Sequence, residues 1–324
     1  MRIIVAGASG FIGGRLCCYL ADRGYEIVAL VNKNVPNEQI WCGKMFSVVQ
    51  IDLSLADQIT KLEQYEPDVI INLVSLDHID SNGYAENVNK VNVLPSWNLL
   101  KHFSKKGLKK FIYLSTIHVY GNQLNGLITE KSDLLPATPY GLTHLLSENV
   151  VTMFAGSSTT DCHIIRFSNG FGAPQFFENK CWDLIINNLC LSAWNIQTLI
   201  LKSDGTPLRD LINITDLLIG IEQILLKIPS NTKKVDIINF SSGETISMLD
   251  AAMQVKDVYE KKYSRKADLY INGNEPVNSY QKLKSSKYTI DNSAFVKLMG
   301  DNNLHELSFG IDEIFNFLDS RKKS

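Results

Sequence analysis

Along its first half the chain alternates short apolar runs with stretches of helical periodicity, and this rhythm limits the fold more than any other feature. The apolar runs are Arg2–Ala6, Glu26–Val31, Phe46–Ile51, Asp68–Val74, Lys110–Ser115 and Asp161–Phe167. Between them, apolar residues recur at helical spacing over Phe11–Arg23 (closed by Gly24), from a Ser54 cap to about Tyr65, over Tyr84–Lys105, and over Tyr140–Phe154 behind Pro139. Strands this apolar are covered on both faces, and strands separated by helices pair in parallel. The expectation is an α/β chain built on a doubly wound parallel sheet with right-handed crossovers. Beyond Arg166 the rhythm loosens. Helical patterns cover Phe177–Trp194, Thr215–Lys227, Ser247–Tyr263, Asn292–Met299 and Phe309–Ser320, with short strands at Thr198–Leu201, Arg209–Ile212 and Val235–Asn239.

At 324 residues the chain has room for about two domains. Its 32 Lys and Arg against 34 Asp and Glu give a net charge of −2, which excludes a general nucleic-acid binder working by phosphate neutralisation. No apolar run is long enough to span a membrane, and Met1–Gly7 reads as a first strand, not a signal peptide. Cys17, Cys18, Cys42, Cys162, Cys181 and Cys190 show neither Cys-x-x-Cys nor zinc spacing. They are expected to be reduced thiols of a cytoplasmic protein, with no metal site. The Arg321-Lys322-Lys323 end reads as a solvated tail.

Gly7-Ala8-Ser9-Gly10-Phe11-Ile12-Gly13 joins the first strand to the first helix. In that context the glycines serve a tight turn, a close approach of a diphosphate and close helix–strand packing, the marks of a Rossmann-like dinucleotide site. The helix N-terminus supplies N–H groups to the diphosphate. The second strand runs into Asn32 and Lys33, with no carboxylate for the adenosine ribose, so NADP is favoured slightly over NAD. Asp52 ends the third strand and either meets the adenine edge or caps the following helix.

Several further segments occur in order: Phe111–Gly121 (FIYLSTIHVYG), Thr138–His144 (TPYGLTH), Arg166–Gly172 (RFSNGFG), Arg209–Leu217 (RDLINITDL) and Ser241–Ser247 (SSGETIS). Together with the glycine turn they resemble the extended short-chain dehydrogenase/reductase family, in its nucleotide-sugar epimerase/dehydratase branch, over essentially the whole chain. The resemblance implies Tyr140 as acid/base, Thr116 as its hydroxyl partner and His144 at the third catalytic position. It also implies a cofactor site of Gly7, Gly10, Phe11, Ile12, Gly13, Asn32, Lys33, Asp52, Leu53, Leu73, Val74, Ser75, Asn92, Tyr140, His144 and Phe167. For a nucleotide-sugar it implies Ser115, Asn169 and Arg209, the last with a rival reading as an ion pair to Asp210. The late substrate loop, Gly273–Asn278, matches poorly.

The chain departs from the family pattern at His144, where a lysine normally lowers the pKa of the tyrosine. An unperturbed imidazole is mostly neutral at pH 7. Either His144 substitutes, or the enzyme is slow or restricted, or the chain is a non-catalytic NAD(P)-binding sensor. Ile117 and His118 stand where dehydratases carry Asp and Glu, which disfavours 4,6-dehydration. Keto-sugar reduction and epimerisation through a keto intermediate remain. The resemblance further implies a dinucleotide-binding domain of residues 1–168 plus about 215–240, and a smaller substrate domain of 169–214 and 241–324. It also implies a homodimer through Tyr84–Lys105 and Tyr140–Phe154.

Overall fold

The computed structural model describes residues 1–33, 35, 41, 47–227, 235–277 and 287–321. Cys42, Asn278, Lys322 and Lys323, read above from sequence, lie outside the described residues. The chain divides into two compact units: residues 1–124, 130–167 and 220–239 form one, and 125–129, 168–219 and 240–324 the other.

The first unit is built on a seven-stranded sheet in the order Val235–Phe240, Asp161–Phe167, Lys110–Thr116, Val69–Asn72, Arg2–Ala6, Glu26–Val31, Ser47–Gln50. Its registered pairs are parallel. Successive strands of the first half occupy adjacent places on either side of Arg2–Ala6, the doubly wound order expected of the rhythm. Residues of alternating position, such as Ile4, Val28, Ile70 and Phe111, form one core with Leu99, Phe103 and Val151 from two covering helices.

The second unit holds three small sheets. Leu208–Asn213 pairs in parallel with Asn169–Phe171 and antiparallel with Thr245–Ser247. Asp268–Ile271 lies between Thr198–Ile200 and Glu275–Pro276, and Tyr288–Ile290 pairs with Gly126–Ile128. Helices Ile185–Ile196, Met248–Tyr263 and Leu307–Arg321 enclose its core around Leu189, Val255 and Phe315. No described helix is long and apolar enough to cross a membrane.

Three local expectations are corrected. The long helix is two, Ala85–Asn92 and Leu94–Phe103, broken at Val93. Pro95 causes the break, because it lacks an N–H and crowds the preceding turn. Ser54 caps no helix: its hydroxyl donates to Asp52 at 2.6 Å, and helix Ala56–Ile59 opens at Leu55 without a side-chain cap before passing into a 3-10 turn. The cysteines are not all thiols. Cys17, Cys162, Cys181 and Cys190 are free and buried, whereas Cys18 is disulfide-bonded. Neighbouring helix positions point about 100° apart, so fully buried Cys17 and slightly exposed Cys18 meet different surroundings.

Candidate active site

The C-terminal edge of the large sheet carries the site. Gly7 follows the strand Arg2–Ala6 with φ +83°, a left-handed conformation that favours glycine. A Cβ on Gly13 would sit 2.2 Å from the Gly7 carbonyl oxygen, so helix Phe11–Ala21 approaches the strand end more closely than any other residue permits. Gly10 opens that helix with no side-chain cap, leaving its first N–H groups to an incoming anion. A cradle that excludes side chains and presents backbone donors fits a dinucleotide diphosphate.

Beside the turn lies a cavity of about 240 Å3 lined by Gly7, Asn32, Lys33, Asp52, Leu53 and Val74, all expected from sequence. Ser9, Ser54, Asn87 and Lys90 also line it, and sequence reasoning missed them. A usable signal exists for two of these: Asn87, Lys90 and Val91 are spaced i, i+3, i+4, one face of a helix. Asp52 accepts from the Ser54 N–H at 3.0 Å and its hydroxyl at 2.6 Å. The Ser54 hydroxyl, with smaller help from Lys90 and Lys33, holds the Asp52 carboxyl below its usual range despite partial burial.

Tyr140 and Thr116 are brought together. Thr116 ends the strand Lys110–Thr116 and caps the following 3-10 turn, its Oγ1 accepting from the His118 N–H at 3.2 Å. Tyr140 sits in the first turn of helix Pro139–Gly156, whose Thr138 caps it through the Gly141 N–H. A Cβ on Gly141 would lie 2.6 Å from the His118 carbonyl oxygen, so glycine lets the helix start press against the turn. Burial pushes the Tyr140 phenol up to about 12; the hydrogen bond with Thr116 opposes this and the Asp77 charge adds to it. No cation is among the described groups acting on that phenol. The His118 and His144 rings meet the Tyr140 ring edge-on, at centroid distances of 5.7 and 4.5 Å.

His144 is buried, and both of its ring nitrogens are engaged within the protein. Nδ1 is 2.8 Å from the Tyr113 hydroxyl and Nε2 is 3.1 Å from Ser75 Oγ. Ser75 gives its single proton to the Leu76 carbonyl at 2.7 Å. Its oxygen must therefore accept from His144 Nε2–H, and Nδ1 must accept from Tyr113. The imidazole is neutral in one tautomer; burial, and next the nearby His118, drive its pKa down to about 3.

Ser115, expected to meet substrate, is buried and gives its hydroxyl to Glu148 at 2.5 Å. Successive strand residues point to opposite faces, so Thr116 and Ser115 part ways. Glu148 is paired with Arg166 through contacts of 2.7, 3.1 and 3.3 Å, both residues being buried. Arg166 also donates to the Tyr120 hydroxyl and the Glu130 carbonyl, each at 3.0 Å. Asn92 is buried, accepts from the Leu76 N–H at 2.8 Å and donates to Thr143 at 2.9 Å. Phe167 pairs with Thr116 across the sheet, and the Leu73 carbonyl lies against Gly7.

In the second unit, Asn169 donates to the Asp210 carbonyl at 2.8 Å. Arg209 is exposed and donates to the Leu208 carbonyl. Asp210 takes the Ser242 and Gly243 N–H groups at 3.0 Å each, and no ion pair joins it to Arg209 among the described residues.

The model of the NAD dependent epimerase/dehydratase family matches residues 3–239. An uncharacterized UDP-glucose epimerase of Bacillus subtilis is 27% identical over 304 residues, covering 89% of this chain and 91% of the relative. A UDP-glucose 4-epimerase of the same organism is 26% identical, covering 81% and 83%. The solved UDP-glucose 4-epimerase of Thermotoga maritima with UDP-glucose superposes with a TM-score of 0.82 at 18% identity, over 99% of this chain and all of that one. The UDP-glucuronic acid 4-epimerase of Bacillus cereus, with UDP-glucuronic acid and NAD, gives 0.78 at 24%, with the same coverage.

Proposed function

The chain belongs to the NAD-dependent epimerase/dehydratase family, and from that premise we propose an NAD(P)-dependent enzyme that epimerises a nucleotide-activated sugar through a keto intermediate, or reduces a keto-sugar. The observation carrying this is the Tyr140–Thr116 pair at the same sheet edge as the glycine turn. Gly7, Gly10, Phe11, Ile12 and Gly13 would hold the diphosphate of the dinucleotide, and Asn32, Lys33, Asp52 and Leu53 its adenosine end, with Lys33 favouring NADP. Bound there, the nicotinamide would exchange hydride with the sugar. Thr116 would hold the reacting sugar oxygen while Tyr140 takes its proton or returns it. Asn169 and Arg209 are the proposed sugar-nucleotide contacts, Arg209 by its bidentate match to a diphosphate.

A phenol at about 12 is a poor base at neutral pH, and His144 brings no charge to lower it. With no cation among the described groups acting on that phenol, the positive charge of an oxidised nicotinamide would favour its ionised form. The rival reading, a binding protein without turnover, draws on the same neutral His144. Sugar-nucleotide panels, assayed by product analysis and by absorbance of the reduced cofactor, separate the two. Turnover that falls about 100-fold or more in Tyr140→Phe is expected; turnover unchanged in that variant sinks the mechanism. If His144→Lys raises activity by orders of magnitude from near zero, the binding-protein reading gains instead.

The reading places the protein in the cytoplasm as a homodimer. Leu94, Trp97, Leu142, Leu146 and Met153 are exposed on helices Leu94–Phe103 and Pro139–Gly156, and such an apolar stripe suits a second copy. Sedimentation of Leu146→Asp is expected to show monomer where the native chain shows dimer.

A further inference from the structure

The cavity beside the glycine turn has an electrostatic character that the family name does not suggest. An NAD site at this place uses a carboxylate at the end of the second strand to accept both ribose hydroxyls. Here the strand Glu26–Val31 runs into Asn32 and Lys33. Among the described residues, the charged ones lining the cavity are Lys33, Lys90 and Asp52. One Asp52 oxygen, Oδ1, already takes two hydrogen bonds from Ser54. Neither lysine has a hydrogen-bond or ion-pair partner among the described residues. The described lining therefore carries one net positive charge, together with the amide groups of Asn32 and Asn87. Helix Ala85–Asn92 presents Asn87, Lys90 and Val91 on one face to this space.

We propose that Lys90 and Lys33 form an anion-reading wall, and that the cavity takes an adenosine phosphorylated on its ribose, the 2′-phosphate end of NADP. A phosphate monoester brings up to two negative charges and three acceptor oxygens. Two ammonium groups and neutral amide donors answer that chemistry, whereas a bare ribose diol would leave the two lysines to share the single described carboxylate, Asp52. Lys90 is then a specificity-determining residue supplied from a different element than the strand end. The assignment rests on the dinucleotide reading of the glycine turn.

Calorimetric titration of the full chain with adenosine 2′,5′-bisphosphate, adenosine 5′-monophosphate, NADP and NAD tests it without any need for turnover. The bisphosphate is expected to bind about tenfold tighter than the monophosphate, with the advantage shrinking as salt rises. Lys90→Ala should remove most of that advantage while changing monophosphate and NAD affinity by no more than about twofold, and Lys90→Arg should keep it. Equal affinity for the two nucleotides in the native chain overturns the proposal. So does a Lys90→Ala variant that weakens all four ligands alike, since that would put Lys90 on the diphosphate common to both cofactors. If none of the four binds, the dinucleotide reading itself falls, and this assignment with it.

Discussion

One helix, Pro139–Gly156, carries two buried polar corners four residues apart, and they are built on opposite principles. At His144 the groups are neutral: Tyr113, the imidazole and Ser75 pass hydrogen bonds along a line with no net charge. At Glu148 a full ion pair with Arg166 is sealed inside, with Ser115 and Tyr120 satisfying further atoms. Burial is similar at both, so burial alone does not set their character. The difference is the partner. Glu148 has a guanidinium in a forked contact, whereas His144 faces hydroxyls and another histidine, and loses its proton. A lysine at 144 would have to carry its charge into a corner whose described hydrogen-bond partners are hydroxyls.

Breaking the charged corner should have the largest effect. Glu148→Leu leaves Arg166 buried and unpaired, and urea unfolding is expected to show a loss of about 3–5 kcal/mol. Replacing both partners, Glu148→Met with Arg166→Met, should cost far less; an equal cost in the double variant would refute the charge argument. The neutral corner should reveal itself through pH. The folded pKa of His144 is about 3 against about 6.5 unfolded, so the unfolded chain binds the extra proton between these values. Its contribution is complete above about pH 6.5 and falls as pH drops, by about 2 kcal/mol at pH 5. A His144→Gln variant should lack that part of the slope in parallel unfolding curves at pH 5 and 7. Ser115→Ala is the mildest probe. It removes one hydrogen bond to a charged group and should cost about 1.5 kcal/mol, with little effect on sugar-nucleotide affinity because its hydroxyl faces Glu148.

The parallel sheet was legible because strands covered on both faces announce themselves as unbroken apolar runs, and the glycine turn because backbone geometry leaves few residue choices. The small strands of the second unit were not. Asn169–Phe171, Thr245–Ser247 and Tyr288–Ile290 are three residues each and owe their form to distant partners, so they carry no period of their own. The Tyr140–Thr116 pair could be placed from motif and helix spacing. What surrounds it could not: Tyr113 and Ser75 lie 31 and 69 residues from His144, and no local pattern signals that they meet it. Ser115 misled for a related reason. Adjacency to Thr116 in sequence means the opposite face in a strand. Lys90 was readable as part of a helical face, yet only the fold shows which cavity that face meets.

The placement of Val235–Phe240 at the edge of the large sheet has a consequence for the order of events during synthesis. Its neighbour, Asp161–Phe167, leaves the ribosome 73 residues before the edge strand is complete, a delay of roughly 4–15 s at ordinary elongation rates. Throughout that interval a strand of nearly all buried residues exposes an unpaired backbone edge, the kind of surface that captures other strands. Lys110 waits for the same segment, since its ammonium finds the Ile224 and Lys227 carbonyls only when helix Ile214–Leu226 has arrived. The nascent chain is thus most open to misassembly late, when the outermost strand is still being made.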